Sequence, residues 1–368
     1  MSSYRVKFLR VNVSSSKLLS WYDNNAREMP WRIPPHESKS GKKPDPYKIW
    51  LSEIMLQQTT VATVKSYFIK FITLWPTVFD LAKANDNDVM AAWAGLGYYA
   101  RARNLLKCAR IIVTDLEGVF PTSLKELQML PGVGPYTSAA IAAIAFNFSE
   151  TVVDGNVERV MARIYAITKP LPSSKPELYE CAKRITPKQR PGDFAQAVMD
   201  LGSTVCLPRN PKCQICPWEN KCQANQKDIA QKLPIKLKKP PKPTRYGTIY
   251  VVNREDGAWL LERRETTGLL GGMLGWPTSE WSEKATEDAP ITTKWVTSTQ
   301  SVHHIFTHFK LNLIVKISRC PTHVKPKSNK FSFQSDFVIS DLPKLMQKVF
   351  AVALIEIKKN PALKKAGQ

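Results

Sequence analysis

Residues 130–137 read Leu-Pro-Gly-Val-Gly-Pro-Tyr-Thr, and this turn-forming run lies between two segments whose apolar residues recur at helical spacing. Gly132 and Gly134 lack a Cβ, so each can take a positive φ and let backbone N–H groups approach an anion at the start of the second helix. Pro135 has no N–H, a loss that is harmless in the first turn of a helix. The run predicts two helices joined by a phosphate-binding hairpin, although a tight turn without a ligand would use the same residues.

Helical spacing of apolar residues extends over residues 17–222, which predicts an all-α region. After that region the spacing changes to two, and residues 248–253 and 258–263 predict a β-hairpin. A strand over residues 310–318 and a helix over residues 342–357 complete the prediction. The second region is therefore expected to be a small α+β domain.

Two domains are expected because one compact core seldom absorbs a chain of 368 residues. Lysines and prolines are mixed over residues 227–245, a composition typical of a semi-rigid basic linker. The predicted organisation is an all-α domain over residues 1–226, this linker, an α+β domain over residues 246–358 and a basic tail over residues 359–368. The first domain begins with a short basic extension.

The charge balance suggests a polyanionic partner. The chain carries 53 Lys and Arg against 31 Asp and Glu, a net charge of +22. Neutralising phosphates with such a surplus releases condensed counterions, so nucleic acid is the leading candidate. A basic surface without this function is the alternative. The sequence contains no apolar run of about 18 residues, so we predict no membrane-spanning segment.

Seven cysteines are present, and four of them follow the spacing C-x6-C-x2-C-x5-C, at Cys206, Cys213, Cys216 and Cys222. An odd total with one tight cluster argues against a disulfide framework and favours a metal centre in a reducing compartment. Zinc is one candidate, although zinc sites usually pair two close C-x2-C elements. The spacing resembles that of the endonuclease III superfamily of DNA glycosylases, which implies a 4Fe–4S cluster.

Three cations are interleaved with these cysteines, namely Arg209, Lys212 and Lys221. They would lie where a DNA backbone passes the loop. Offsetting the negative charge of the thiolates is a second role, and the two roles are compatible.

Flanked by helices in so basic a chain, residues 130–137 resemble the helix-hairpin-helix DNA-binding motif of the same superfamily. In its bifunctional members a lysine stands at the position of Tyr136 and forms a Schiff base with the sugar. Tyr136 has no amine with which to do so. The resemblance therefore implies hydrolysis of an N-glycosidic bond without an efficient lyase step.

Glu53 lies within an apolar helical stretch, Ile-Trp-Leu-Ser-Glu-Ile-Met-Leu-Gln-Gln-Thr at residues 49–59. An isolated helical glutamate is usually a solvated surface charge. Here Trp50, Ile54 and Met55 would desolvate the carboxyl, raise its pKa and keep it protonated. With Gln57 one turn further on, the stretch is similar to the adenine glycosylase signature W-L-S-E-x-M-L-Q-Q-T.

Asp154 follows an apolar stretch and precedes a helical pattern at residues 157–167. Alone it reads as a helix N-cap. Between the hairpin and the cysteines, it resembles the catalytic aspartate of the superfamily. The resemblance implies that Glu53 protonates N7 of adenine, that Asp154 stabilises the oxocarbenium-like sugar before water adds, and that Asn156 positions a partner by hydrogen bonding.

Further residues are expected to extrude and read the bases, since a stacked base is unreachable. Residues 95–105 match the adenine glycosylase pattern G-L-G-Y-Y-A-R-A-R-N-L. The resemblance implies that Tyr98 and Gln58 intrude into the duplex around oxidised guanine, and Arg101 and Arg103 would clamp phosphates. Trp31 and Arg32 match residues beside the adenine pocket. Asp200 is a further candidate for a hydrogen bond to the base.

The second domain resembles the Nudix-like mismatch-recognition domain of adenine glycosylases. Residues 268–277 are similar to its G-L-x-x-G-x-W-x-x-P element with slightly shifted spacing, and no R-E-x-x-E-E metal box follows. Thr307 and His308 match the hairpin by which this family inspects 8-oxoguanine, with Thr307 standing where serine is usual. A histidine-rich strand end without this role is the alternative.

The expected function is a monofunctional DNA glycosylase that flips and removes adenine from A:8-oxoguanine or A:G mispairs in duplex DNA. We expect a monomer in the bacterial cytoplasm, associated with the nucleoid. One alternative is an endonuclease III-like glycosylase and lyase that acts on oxidised pyrimidines. Another is a non-catalytic DNA-structure binder or redox-sensing cluster protein, which would not need Glu53.

Overall fold

The computed structural model describes residues 12–237, 240–265 and 268–363. Most of the predicted basic N-terminal extension and the end of the predicted basic tail lie outside the described residues. Lys238 and Lys239 of the predicted linker do so as well. Within the described ranges, no helix is both long enough and apolar enough to cross a membrane.

The chain divides into two compact units, and the division is not a single cut. One unit comprises Met1–Ala84 together with Asn104–Lys239, and the other comprises Asn85–Arg103 together with Pro240–Gln368. A short segment from the first half of the sequence therefore belongs with the C-terminal unit.

Helices dominate the chain up to the cysteine loop, as the apolar spacing predicts. The helices are α1 (Ser15–Asn25), α2 (Pro35–Lys39), α3 (Pro46–Leu56), α4 (Val61–Leu74), α5 (Val78–Lys83), α6 (Asp86–Trp93), α7 (Ala100–Asp115), α8 (Leu124–Met129), α9 (Pro135–Phe146), α10 (Gly155–Ile164), α11 (Lys175–Ile185), α12 (Pro191–Thr204) and α13 (Gln223–Gln226). Short polar side chains cap many of their N-termini, and α5 begins with a full capping box between Thr77 and Asp80.

Helix α9 is the centre of the helical unit. Its sequence from Thr137 to Ala145 consists of alanines, isoleucines and small hydroxyl residues, all of them buried. A helix that is apolar on every side has no face for solvent. It packs against α3 and α12, and it ends at Asn147, whose left-handed conformation satisfies the last carbonyls. The hairpin of residues 130–134 is thereby fixed to a rigid element.

The C-terminal unit contains the predicted β-hairpin within a larger sheet. Its elements are β1 (Thr244–Arg254), β2 (Trp259–Arg263), β3 (Leu274–Gly275), β4 (Val296–Thr297), β5 (Val302–Ile305), β6 (Lys310–Cys320), β7 (Phe331–Gln334) and α14 (Lys344–Lys359). The strand order is β3-β2-β1-β6-β4, with β5 on β6 and β7 on β2. β1 and β2 are antiparallel, whereas β1 and β6 are parallel from Thr244↔Lys310 onward. Helix α14 covers the sheet through Val349 and Ala353. The all-α plus α+β prediction is confirmed.

The predicted linker is shorter than residues 227–245. Leu233 is buried, its carbonyl accepts a hydrogen bond from Arg163 Nε at 3.1 Å, and Ile235 O accepts one from Leu171 N at 2.8 Å. The chain therefore remains attached to the helical unit as far as Lys236, and β1 already begins at Thr244. The linker prediction was wrong at both ends because composition does not show which backbone groups are hydrogen-bonded.

Candidate active site

One cavity of about 980 Å³ contains both candidate catalytic carboxyl groups. Glu53 reaches it from the middle of α3 and Asp154 from the start of α10. Tyr136 on α9 and Gln196 on α12 also line it. Two acids can therefore act on one molecule bound in this cavity.

Glu53 is held in an apolar environment. Its side chain is 6% exposed, and its Oε2 makes no hydrogen bond within the described part of the chain. Burial raises the pKa of Glu53 to about 7, and the charge of Asp154 adds to this rise, against a hydrogen bond from Tyr136 and the charge of Arg32. A large fraction of this carboxyl is protonated near neutral pH, so it can donate a proton.

The neighbours that desolvate Glu53 differ in part from those expected. Ile49 and Ile144 line the cavity beside it. Trp50 instead packs against Tyr47 and Phe120 on another side of α3. The predicted desolvation is present, but Trp50 lies three residues from Glu53 and points elsewhere.

Asp154 is both an N-cap and a wall of the cavity. Its Oδ1 accepts hydrogen bonds from the backbone N–H groups of Asn156 at 2.9 Å and Val157 at 2.8 Å. Its Oδ2 accepts one from Asn156 Nδ2 at 2.8 Å. These donors hold the carboxyl group of Asp154 in a fixed position at the start of α10. The two alternatives for Asp154, cap and site residue, therefore hold together.

Tyr136 connects the hairpin helix to the acid. Its phenol is hydrogen-bonded to Glu53, and burial with two nearby carboxyl groups raises its pKa well above the usual range. The phenol therefore stays protonated and can donate a hydrogen bond to Glu53. An amine nucleophile is absent at this position.

The deep part of the cavity contains a buried ion pair. Arg32 Nη1 donates to Asp200 Oδ2 at 2.7 Å, and Arg27 N donates to the same oxygen at 3.0 Å. Trp31 packs edge-on against Phe68 with ring centroids 5.2 Å apart and lines the cavity. Asp200 Oδ2 is thus committed to Arg32 and Arg27, whereas its buried Oδ1 makes no hydrogen bond within the described residues. A hydrogen bond between Asp200 and the base stays a prediction.

The hairpin before α9 uses its two glycines differently. Gly132 has φ +80, and a Cβ there would lie 3.1 Å from Asn104 Cβ. Gly134 has φ −91 and open space around the missing Cβ, so the expected positive φ at Gly134 is wrong. Gly134 is the N-cap of α9 and any small residue would fit there. Gln57 Nε2 joins α3 to this hairpin through Gly132 O at 3.4 Å and Thr137 Oγ1 at 3.1 Å.

Two exposed side chains stand on left-handed backbone. Gln58 has φ 57 directly after α3 and lines the cavity, while Tyr98 has φ 49 and is 43% exposed. Non-glycine residues rarely adopt this conformation, and it often marks functional positions. Tyr98 Oη and Thr307 Oγ1 are hydrogen-bonded at 2.8 Å, both within the C-terminal unit.

Arg101 and Arg103 both donate hydrogen bonds to carbonyls inside the protein. Arg101 is 8% exposed, donates to Leu96 O and Gly97 O at 3.2 Å each, and lies over the rings of Trp93 and Tyr98. Arg103 donates to Gly271 O. Both guanidinium groups therefore satisfy internal carbonyls, and the role of Arg101 and Arg103 as phosphate clamps stays a prediction.

The residues expected to inspect the opposite base lie at a hairpin tip. Thr307 and His308 are exposed between β5 and β6, and Phe306 N donates to Phe309 O at 2.9 Å to close the turn. This tip is accessible and carries the hydroxyl that contacts Tyr98.

The four clustered cysteines share one cavity. Cys206, Cys213, Cys216 and Cys222 line it together with Arg163, and all four are free thiols. Among the described residues, no three potential ligands are grouped as closely as a single metal ion requires. Four thiols around one cavity are a donor set suited to an iron–sulfur cluster. The interleaved Arg209, Lys212 and Lys221 are exposed.

Two arginines of α10 were missed from the sequence. Arg159 donates to Asn156 Oδ1 at 2.9 Å, Gly202 O at 2.6 Å and Cys206 O at 2.8 Å. Arg163 donates to Cys206 Sγ at 3.2 Å and Leu207 O at 2.7 Å. Their spacing of four residues on a strongly amphipathic helix was the available signal.

Comparison with known proteins gives the class to which this chain belongs. Residues 51–187 match the family described as "HhH-GPD superfamily base excision DNA repair protein", and residues 248–352 match the NUDIX domain. Among solved structures, a thermostable thymine-DNA glycosylase superposes with a TM-score of 0.51 at 31% identity, covering 58% of this chain and 95% of that one. Fold and site define a base-excision DNA glycosylase of the helix-hairpin-helix class.

Relatives of nearly full length narrow this class. The adenine DNA glycosylase of Homo sapiens is 35% identical, covering 96% of this chain and 76% of that protein. That of Buchnera aphidicola subsp. Acyrthosiphon pisum is 34% identical, covering 84% and 87% respectively. The chain belongs to the adenine DNA glycosylase family.

Proposed function

We propose that this protein hydrolyses the N-glycosidic bond of adenine mispaired with 8-oxoguanine or guanine in duplex DNA. The observation that carries the proposal is the single cavity in which Glu53 and Asp154 occupy opposite environments. Adenine is a poor leaving group, so its departure needs both a proton for the base and a negative charge for the sugar. The relatives' names indicate adenine as the excised base. The cavity contains the two carboxyl groups that could provide the proton and the negative charge.

Glu53 is the proposed general acid. Its unpartnered Oε2 is available to a ring nitrogen of an everted adenine, N7 in the resemblance to the family. The hydrogen bond from Tyr136 orients the carboxyl without removing its proton. Trp31 and Arg32 bound the same cavity, where they would limit the space around the base.

Asp154 is the proposed stabiliser of the oxocarbenium-like sugar. Its oxygens are held by N–H donors, so the carboxylate is fixed in place where positive charge develops on the sugar. Asn156 positions it, and Arg159 in turn holds the Asn156 amide. Water then adds to the sugar and yields an abasic site with free adenine.

Recognition of the mispair is assigned to Gln58 and Tyr98. Gly132 and Gln57 lie at the hairpin that would bind a DNA phosphate. Gln58 lines the cavity. The hydrogen bond between Tyr98 and Thr307 supports joint action of Tyr98 and the hairpin tip that carries Thr307 and His308. Thr307 keeps the hydroxyl of the usual serine and adds a methyl group.

The four cysteines would hold a 4Fe–4S cluster, which when bound would cross-link residues 206–222 and add redox-active iron. Arg163, buried behind Cys206, fixes the loop that carries these thiols. Iron and sulfide analysis of protein purified without oxygen tests this assignment. Replacing Cys216 by serine should abolish iron binding, whereas replacing Cys320, which lies in the sheet, should not.

The decisive test is incubation of the purified protein with duplexes that carry adenine opposite 8-oxoguanine, guanine or thymine. Alkali then cleaves the strand wherever a base was lost. We expect cleavage with the first two duplexes and little with the third. Strand cleavage of all three duplexes, or of none, would contradict the proposal.

The rival activity, a glycosylase and lyase for oxidised pyrimidines, requires an amine nucleophile. Tyr136 provides none, so borohydride should trap little covalent complex with DNA. Efficient trapping together with strand cutting before alkali would favour the rival.

The proposed state is a monomer that works in the bacterial cytoplasm with the nucleoid.

A further inference from the structure

A second cavity of about 200 Å³ lies directly behind the catalytic cavity. Four residues line both cavities, namely Arg32, Ile49, Ile144 and Gln196. At its outer part the second cavity is lined by the exposed residues Gly41, Lys42, Lys43 and Asn147. It therefore reaches solvent on one side, and on the other side the four shared residues separate it from the catalytic cavity.

The members of this shared wall are held with different strength. Arg32 is fixed to Asp200 by a 2.7 Å ion pair, and Ile49 and Ile144 belong to the buried faces of α3 and α9. Gln196 has a long side chain whose Nε2 donates to Gly192 O at 3.3 Å, a long hydrogen bond. Gln196 is thus the wall residue that moves at the lowest cost.

The proposed reaction creates a need for such a passage. After the glycosidic bond breaks, the sugar remains in the DNA at the mouth of the cavity and adenine lies inside it. The mouth by which the base entered stays covered while the abasic duplex is bound. Free adenine must then wait for the DNA to leave, or depart by another way.

We propose that the second cavity is the exit for free adenine and that Gln196 is its gate. This inference rests on the proposed function. The volume of about 200 Å³ equals that of roughly seven water molecules at ~30 Å³ each, which is space on the scale of one base. A glutamine amide offers both a donor and an acceptor to the edge of adenine, and Ser38 and Asp193 add polar groups further out.

The test fills the outer cavity and measures where adenine goes. Ser38 lines only the second cavity, and its Oγ donates to Asp193 Oδ2 at 3.2 Å. Ser38→Phe fills the passage and loses that hydrogen bond, whereas the control Ser38→Ala loses only the hydrogen bond. Ile33→Trp, with Ile33→Val as its control, fills the same cavity from another wall.

The substrate is a duplex with radiolabelled adenine opposite 8-oxoguanine, used with enzyme in excess. Alkali cleavage gives the excision rate, and rapid gel filtration separates free adenine from the protein–DNA complex. We expect both filling variants to release adenine about tenfold more slowly than the wild type, with excision within about twofold. The two controls should match the wild type, and wild-type adenine should leave before the DNA.

Release at the wild-type rate from folded filling variants would overturn the inference. Equal slowing in Ser38→Ala would do so as well, since the hydrogen bond rather than the space would then be responsible. Loss of excision in proportion to release would also count against it. If the wild-type protein excises no adenine from any duplex, the proposed function itself fails, which is a distinct result.

Discussion

The middle of α3 and the start of α10 present the same functional group in opposite settings. Glu53 sits among apolar side chains, one of its oxygens lacks a hydrogen bond within the described residues, and its pKa is about 7. Asp154 occupies the N-cap of α10 and accepts N–H hydrogen bonds at both oxygens. The two carboxyl groups therefore differ in their surroundings, and burial is what raises the pKa of Glu53.

The largest effect is expected from Glu53→Gln. The amide keeps the size of the side chain but has no acidic proton, and a positioned general acid commonly contributes about 10²–10⁴-fold. Single-turnover excision should fall by about 10³-fold while affinity for the mispaired duplex stays within about threefold. Retained excision in this variant would remove Glu53 from the acid role.

Asp154→Asn tests the other half of the comparison. Asparagine is as good an N-cap as aspartate, so α10 should remain stable. Loss of the negative charge should lower excision by about 10²–10³-fold, the usual cost of removing one electrostatic stabiliser. Thermal unfolding provides the control: a fall in activity with a parallel fall in melting temperature would point to the cap alone.

The pH dependence should follow Glu53. Because the pKa is about 7, excision should fall about tenfold per pH unit above that value as the acid loses its proton. A rate that stays flat from pH 6 to about 9 would contradict this assignment.

Stability should depend on the same group. The folded pKa lies above the ordinary 4.5, so the contribution of the neutral acid is complete below pH 4.5 and is lost as the pH rises through about 7. Glu53→Gln should therefore be more stable than wild type above that pH, by about 3 kcal/mol. Denaturant unfolding at pH 5 and at about pH 8 measures the difference, which should be small at the lower pH.

A smaller effect is expected where another helix begins, at the hairpin before α9. Gly132→Ala forces a Cβ onto φ +80 and within 3.1 Å of Asn104 Cβ, which should cost about 1–2 kcal/mol. Gly134→Ala, at φ −91 in open space, is the matched control and should change stability by less than about 0.5 kcal/mol. Thermal unfolding and duplex affinity of the two variants should differ in the same order.

The smallest effect is expected when an exposed arginine and a buried arginine are replaced in turn and the salt dependence of DNA affinity is compared. Arg209 is exposed in the cysteine loop, so Arg209→Ala should lower the slope of log affinity against log salt by about 0.9. Arg101→Ala should leave this slope unchanged, because the guanidinium already binds Leu96 O and Gly97 O. A change of slope for Arg101 would support it as a phosphate contact.

The sequence predicted the helical unit well because its motifs are dense and its apolar spacing is regular. Glu53 and Asp154 could be placed in one site only through the resemblance, since they lie about a hundred residues apart. Backbone conformation could not be predicted from residue type. The sequence did not show that Gly132 takes a positive φ and Gly134 does not.

Partners of buried charges were equally hard to predict. Nothing local in the sequence shows that Arg101 serves carbonyls of its own turn or that Asp200 pairs with Arg32. Arg159 and Arg163 were missed because both donate to Cys206, which is 47 and 43 residues away along the chain. Such pairings depend on tertiary packing, and the local sequence pattern does not indicate them.

The grouping of Asn85–Arg103 with the C-terminal unit has a practical consequence for protein engineering. A fragment that stops after the cysteine loop would retain Tyr98 but lose Thr307, the partner of its hydroxyl, and Gly271, the acceptor of Arg103. Truncation would thus leave the Tyr98 hydroxyl and the Arg103 guanidinium without these partners in the middle of the remaining fragment. Anyone shortening this protein should expect the damage to appear at residue 98 and not only at the new C-terminus.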